Sequence, residues 1–82
     1  MDDTSRMNRA FTGLLLREAR RDAREAGVVL PKLSTWCSRL GTNTYYEVYG
    51  GKDEGMIWAG QAQDANEAKS QAIESILARG AH

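Results

Sequence analysis

Among its 82 residues the chain has one cysteine, one proline, one histidine and one phenylalanine, and its formal net charge is zero. A lone cysteine, Cys37, forms no disulfide within the chain, so the fold does not rely on oxidation, and a reducing compartment is favoured. Cys37 has no histidine near it in sequence and reads as a small packed residue. The one histidine, His82, stands at the C-terminus, where chains fray. No group of residues has metal-ligand spacing, and nothing places two carboxylates in a cleft. These gaps argue against catalysis and point to a role without enzymatic activity, metal or cofactor. No long apolar run exists: Phe11 to Leu16 is broken by Gly13 and is too short to span a membrane. No secretory signal is visible, and the expectation is a soluble cytoplasmic protein with no membrane partner. The loop Gly50-Gly51-Lys52-Asp53-Glu54-Gly55 carries two acids and leads into a strand, so it reads as a hairpin loop and not a phosphate cradle.

What is present is a globular composition, 41% hydrophobic and 27% charged, in a length that suits one domain over residues 1–82. A chain of this size buries about 60–65% of its unfolded surface, and its stability should be roughly 4–12 kcal/mol. The zero net charge hides a division. Residues 1–40 hold eight basic and five acidic residues, a balance of +3, whereas residues 41–82 balance to −3. The halves either attract each other within the fold or make a bipolar surface.

Asp3, Thr4 and Ser5 suit a helix N-cap, and no proline interrupts the chain from there to Ala26. Met7, Ala10, Phe11, Leu14, Leu15 and Ala19 recur at helical spacing and are the expected buried stripe, with Gly27 as the stop. The helix would be about 30–35 Å long. Three strands are expected at Leu33–Leu40, Tyr45–Tyr49 and Met56–Gly60, the first two joined by the turn Gly41-Thr42-Asn43-Thr44. A second helix follows. Asp64 and Glu67 have capping-box spacing, and Ala65, Ala68, Ala72, Ile73, Ile76 and Leu77 form its apolar stripe. The expected fold is α+β, in the order α-β-β-β-α, with both helices on one face of a three-stranded antiparallel sheet and the other face open.

Arg6, Arg9, Arg17, Arg20 and Arg24 lie within roughly an 80° arc of the first helix. Such a stripe is either a solvated face or a binding face. Glu18, Asp22 and Glu25 point away from it, which leaves its arginines poor local partners, and guanidinium groups suit phosphate or carboxylate. Arg39 and Lys69 are candidate additions. Among the aromatics, Glu47 marks its own sheet face as the wet one, which puts Tyr45 and Tyr49 on the open face. Trp36 and Trp58 join them or enter the core according to a register that the strand pattern leaves undecided. Open-face aromatics would stack bases or dock a protein; cross-strand packing is the plainer reading.

The segment Glu67-Ala68-Lys69-Ser70-Gln71-Ala72-Ile73-Glu74-Ser75-Ile76-Leu77, with the element order, resembles the double-stranded-RNA-binding domain. The resemblance implies that family's α-β-β-β-α fold. Of its lysine cluster at the start of the second helix only Lys69 matches, and Ala65 and Asn66 occupy the neighbouring places. Gly41-Thr42-Asn43-Thr44 replaces its Gly-Pro-x-His loop. Function then falls on the arginine-rich first helix. Two partners fit: nucleic acid, bound electrostatically through its phosphates, or an acidic protein surface. The second would make the chain an inhibitor or adaptor of the phage or mobile-element type, docking for instance on a nucleic-acid-processing complex, with the aromatics as hot spots. A homodimer through the open face or an edge strand is a third arrangement.

Overall fold

The computed structural model describes the backbone of residues 2–51 and 55–80, and the side chains of residues 9–51 and 55–80. Helix α1 spans Asp2–Glu25, strands β1, β2 and β3 span Leu33–Leu40, Asn43–Gly50 and Met56–Gln61, and helix α2 spans Ala65–Gly80. The strands form one antiparallel sheet in the order β1-β2-β3. The architecture is therefore α+β, α-β-β-β-α. Among the described residues no helix is long and apolar enough to cross a membrane.

Local signals account for the element ends. At the C-terminus of α1 the Gly27 amide donates to the Arg24 carbonyl and the Val28 amide to the Ala23 carbonyl, at 3.1 and 2.9 Å. Gly27 is at φ 73° between them, and Val28 packs beside Ala23, so the helix closes in a Schellman motif with its apolar contact. At the start of α2, Asp64 Oδ1 accepts the Glu67 amide at 2.9 Å, as the capping-box spacing predicts, while Glu67 Oε1 reaches one residue past the cap and accepts the Gln63 amide at 2.9 Å. Helix α1 begins earlier than its cap signals suggest: Asp3, Thr4 and Ser5 lie inside the helix, with side chains outside the described residues. The first hairpin is tighter than expected. Leu40 pairs with Asn43, so Gly41 and Thr42 alone make the turn, and Gly41 at φ 64° supplies the positive φ of its first position.

The two helices run side by side in the same direction. Thr12 of α1 meets Asp64, and Ala19 and Ala23 meet Ile73 further along α2. Helix α2 lies on the sheet, where Ala68 and Ala72 pack with Val48 and Ala62. Helix α1 rests chiefly on α2 and reaches the sheet at Leu33. This corrects the expected α1 stripe in part: Ala19 is buried and Leu15 half-buried as expected, and the Met7 side chain lies outside the described residues. The buried face is Thr12, Ala19 and Ala23 with half-buried Leu16, while Ala10, Phe11 and Leu14 are exposed. Small residues let α1 approach the Ile73 side chain closely; the larger side chains on a different face of the helix find no surface to cover them.

The same placement leaves part of β1 uncovered. Cys37 pairs with Tyr46, which packs in the core on the helix side, yet Cys37 is exposed. It is therefore not the packed residue its type suggests, because no helix lies over that end of β1. The Tyr46 hydroxyl ionises above the usual tyrosine range, pushed up first by burial, then by its hydrogen bond to Cys37 and the negative charge potential of Cys37 and Asp64, against a smaller opposing pull from Arg39.

Candidate anion-binding cleft

Helix α1, the segment that follows it and helix α2 enclose a cleft of about 570 Å³. Arg20 and Arg24 come from α1, one turn apart, and both are exposed. Lys32 comes from the segment between the Schellman turn and β1, where its carbonyl accepts the Gly51 amide at 3.1 Å. Lys69 comes from α2 and is half-buried; its position between the sheet-facing and α1-facing residues sends a long aliphatic stem outward along the cleft wall. Ala23, Val28, Leu30, Pro31 and Leu33 supply the apolar remainder. Four cations and no carboxylate line this space.

The cations also lack local neutralisation. Among the described residues the one ion pair is Arg21–Asp22, 4.0 Å long with both side chains more than half exposed, which contributes little. Like charges gathered from three segments repel one another. A bound polyanion relieves that repulsion, and bidentate guanidinium contacts suit phosphate oxygens.

The other candidate residues distribute as follows. Arg9 and Arg17 are exposed on α1 and extend the stripe beyond the cleft lining. The Arg6 side chain lies outside the described residues. Arg39 pairs with Thr44 beside the first hairpin, away from the cleft lining. Lys32 joins the cleft without a signal in the sequence pattern. It lies off the helix, so helical periodicity carries no signal for it; only the Schellman turn and Pro31 bring it back toward α1.

The register decides the aromatics. Trp36 pairs with Glu47 and stands on the open face with Tyr45 and Tyr49. Trp58 pairs with Val48, on the helix side, and packs against the core. It is not an open-face contact. The β2–β3 register shifts between Val48 and Tyr49, leaving Ile57 as an extra residue, so Ile57 and Trp58 both join the core layer as adjacent bulge residues do. A side chain at Gly60 would put its Cβ 2.7 Å from the Trp58 ring, so glycine there lets the indole lie flat along the strand.

On the open face the Tyr49 hydroxyl donates to Glu47 Oε1 at 2.8 Å. That bond, ahead of desolvation and the carboxylate charge, holds the Tyr49 hydroxyl above the usual tyrosine range. Tyr46 and Tyr49 therefore keep their protons more tightly folded than unfolded. Their stabilisation is complete below the unfolded value near 10 and is lost as pH rises through the raised folded values. In a titration followed by tyrosinate absorbance, two of the three tyrosines should ionise later in the native protein than in denaturant; coincident curves would contradict both contacts.

Among the described residues no group of three or more His, Cys, Asp or Glu side chains is placed to hold a metal ion. Comparison with protein-family models, with curated proteins and with solved structures finds no match to this chain.

Proposed function

We propose that the chain is a non-catalytic nucleic-acid-binding module that holds phosphates through the α1 arginine face and the cleft beside it. The observation that carries this reading is the convergence of Arg20, Arg24, Lys32 and Lys69 on one cleft free of carboxylates. A protein of zero net charge has gathered these cations from three separate segments. Arg9 and Arg17 extend the positive surface along α1, which suits a backbone with repeating charge better than a small anion.

Binding should be salt-sensitive and weakly sequence-dependent, because phosphate contacts position a complex without reading bases. If the four cleft cations each neutralise one phosphate, log K falls against log salt with a slope of about −2.8 to −3.6. Fluorescence anisotropy with labelled duplex RNA, duplex DNA and single strands at several salt concentrations measures this. Arg20→Glu/Arg24→Glu removes two charge-assisted contacts and should weaken binding roughly 100-fold or more. Arg17→Glu alone, outside the cleft lining, should act far less. A wild type that binds none of these ligands at low salt, or a flat salt response, sinks the reading.

A further inference from the structure

The open face of the sheet carries a second arrangement, opposite in sign to the cleft. Glu47 is at the middle of the central strand and is half-buried. Its register partners are Trp36 on β1 and Ala59 on β3. Tyr45 and Tyr49 flank it along β2, on the same face by strand alternation. The carboxylate is thus framed by three aromatic side chains, and its fourth side is an exposed alanine that leaves an approach. Trp36 is 66% exposed, a large apolar surface left in water at the rim of this frame.

Glu47 Oε1 accepts the Tyr49 hydroxyl, while no protein donor among the described residues reaches Oε2. Among the described residues none that shares this face is lysine or arginine: Arg39 is on the opposite side by alternation. A half-desolvated carboxylate without a cation is an unbalanced charge, and the ligand that balances it is a cation. The frame is open and flat, so it does not enclose a quaternary ammonium group. A guanidinium group fits both parts at once: its planar donors take the free carboxylate oxygen, and its face stacks on the exposed indole.

We infer that Trp36, Glu47 and Tyr49 form a docking site for an arginine side chain presented by a partner protein across the open sheet face. A second copy of this chain related by a two-fold axis through the site would bring two Glu47 carboxylates together, which disfavours self-association there. The site is on the opposite side of the sheet from the cleft and does not depend on the nucleic-acid reading.

The probe is the peptide acetyl-Gly-Gly-Arg-Gly-Gly-amide, compared with the same peptide carrying citrulline, which keeps the planar shape and loses the charge. In a two-dimensional amide NMR titration of the full chain, the arginine peptide should bind with millimolar affinity. It should saturably shift the Trp36 indole signal and the Glu47 and Tyr49 amides. Citrulline should bind at least tenfold more weakly. Glu47→Gln keeps an acceptor for the Tyr49 hydroxyl, so the fold and its spectrum should persist while binding falls at least tenfold. Trp36→Ala should fall similarly. Equal shifts from both peptides, shifts centred on other carboxylates, no binding, or undiminished binding by Glu47→Gln would each overturn the inference.

Discussion

Ile73→Ala is expected to lower the unfolding free energy by about 2–5 kcal/mol. Ile73 is fully buried where α2 meets α1, against Ala19 and Ala23, with Leu16, Leu30, Leu33 and Leu77 around them. Truncation removes three carbon atoms from the middle of this seam. The alanines opposite have no side-chain reach with which to fill the space, so collapse is limited and the loss should fall in the upper half of the range. Against a total stability of roughly 4–12 kcal/mol, that is a large share of what keeps α1 attached. Urea denaturation should show a lower midpoint with an unchanged slope. Leu14→Ala is the informative control. Helical periodicity places Leu14 in the core, whereas it is 51% exposed, and its replacement should change stability by no more than about 0.5 kcal/mol. A Leu14 variant that loses as much as the Ile73 variant would mean that the wrong face of α1 has been assigned to the core.

Asp64→Ala is expected to remove about 2–4 kcal/mol, from two sources. Asp64 caps α2 through the Glu67 amide. Its other oxygen, Oδ2, accepts the hydroxyl of Thr12 at 2.6 Å, across the junction with α1. Thr12 is completely buried, and its remaining acceptor is the Arg9 carbonyl at 3.2 Å, one turn back. Losing the carboxylate therefore removes a cap and leaves a buried hydroxyl with a poorer, local bond. Asp64→Asn keeps a capping oxygen and should lose less than about 1 kcal/mol. Thr12→Val isolates the second source, because it keeps the shape and removes the donor. The cycle Thr12→Val, Asp64→Ala and the double variant should give a coupling of about 1–2 kcal/mol. Additive losses would show that the cap acts alone and that the inter-helix bond contributes nothing.

Much of this fold is legible in the order of residue types, and the reason is that its signals are short-ranged. Gly27 ends α1 because a residue in the left-handed region is needed within that one turn. Asp64 and Glu67 start α2 through bonds that cross no more than four residues. The strands appear where aromatic, β-branched and threonine residues cluster between turns, and β1 has the bounds that pattern predicts. The apolar stripe of α2 is correct because Ala68, Ala72 and Ile73 face two neighbours, sheet and helix, and satisfy both.

The candidate sites were less legible. The arginine spacing predicted Arg20 and Arg24 as neighbours, and Lys69 arose from a family resemblance, but no local pattern joins them with Lys32. That convergence requires α1 and α2 to lie parallel and the chain after Gly27 to turn back between them. On the sheet, Glu47 signalled a wet face, yet the place of each tryptophan depended on which residues pair across strands. A two-residue turn at Gly41-Thr42 and one extra residue at Ile57 decide that pairing, so Trp36 faces water beside Glu47 while Trp58 enters the core.

By itself the sequence determined the element order, the α+β class, the stop of α1 at Gly27, the cap of α2 at Asp64, and the presence of a cationic helix face, all of which follow from interactions between residues a few positions apart. Tertiary structure alone decided which face of α1 is buried. Hydrophobicity favours Phe11 and Leu14 beside Ala19, but close packing against Ile73 requires the small side chains of Ala19 and Ala23, with Thr12 bonded to Asp64 on the same face, and that fit is a property of two surfaces together. The same docking turned Arg20 and Arg24 toward Lys69 and left Cys37 uncovered.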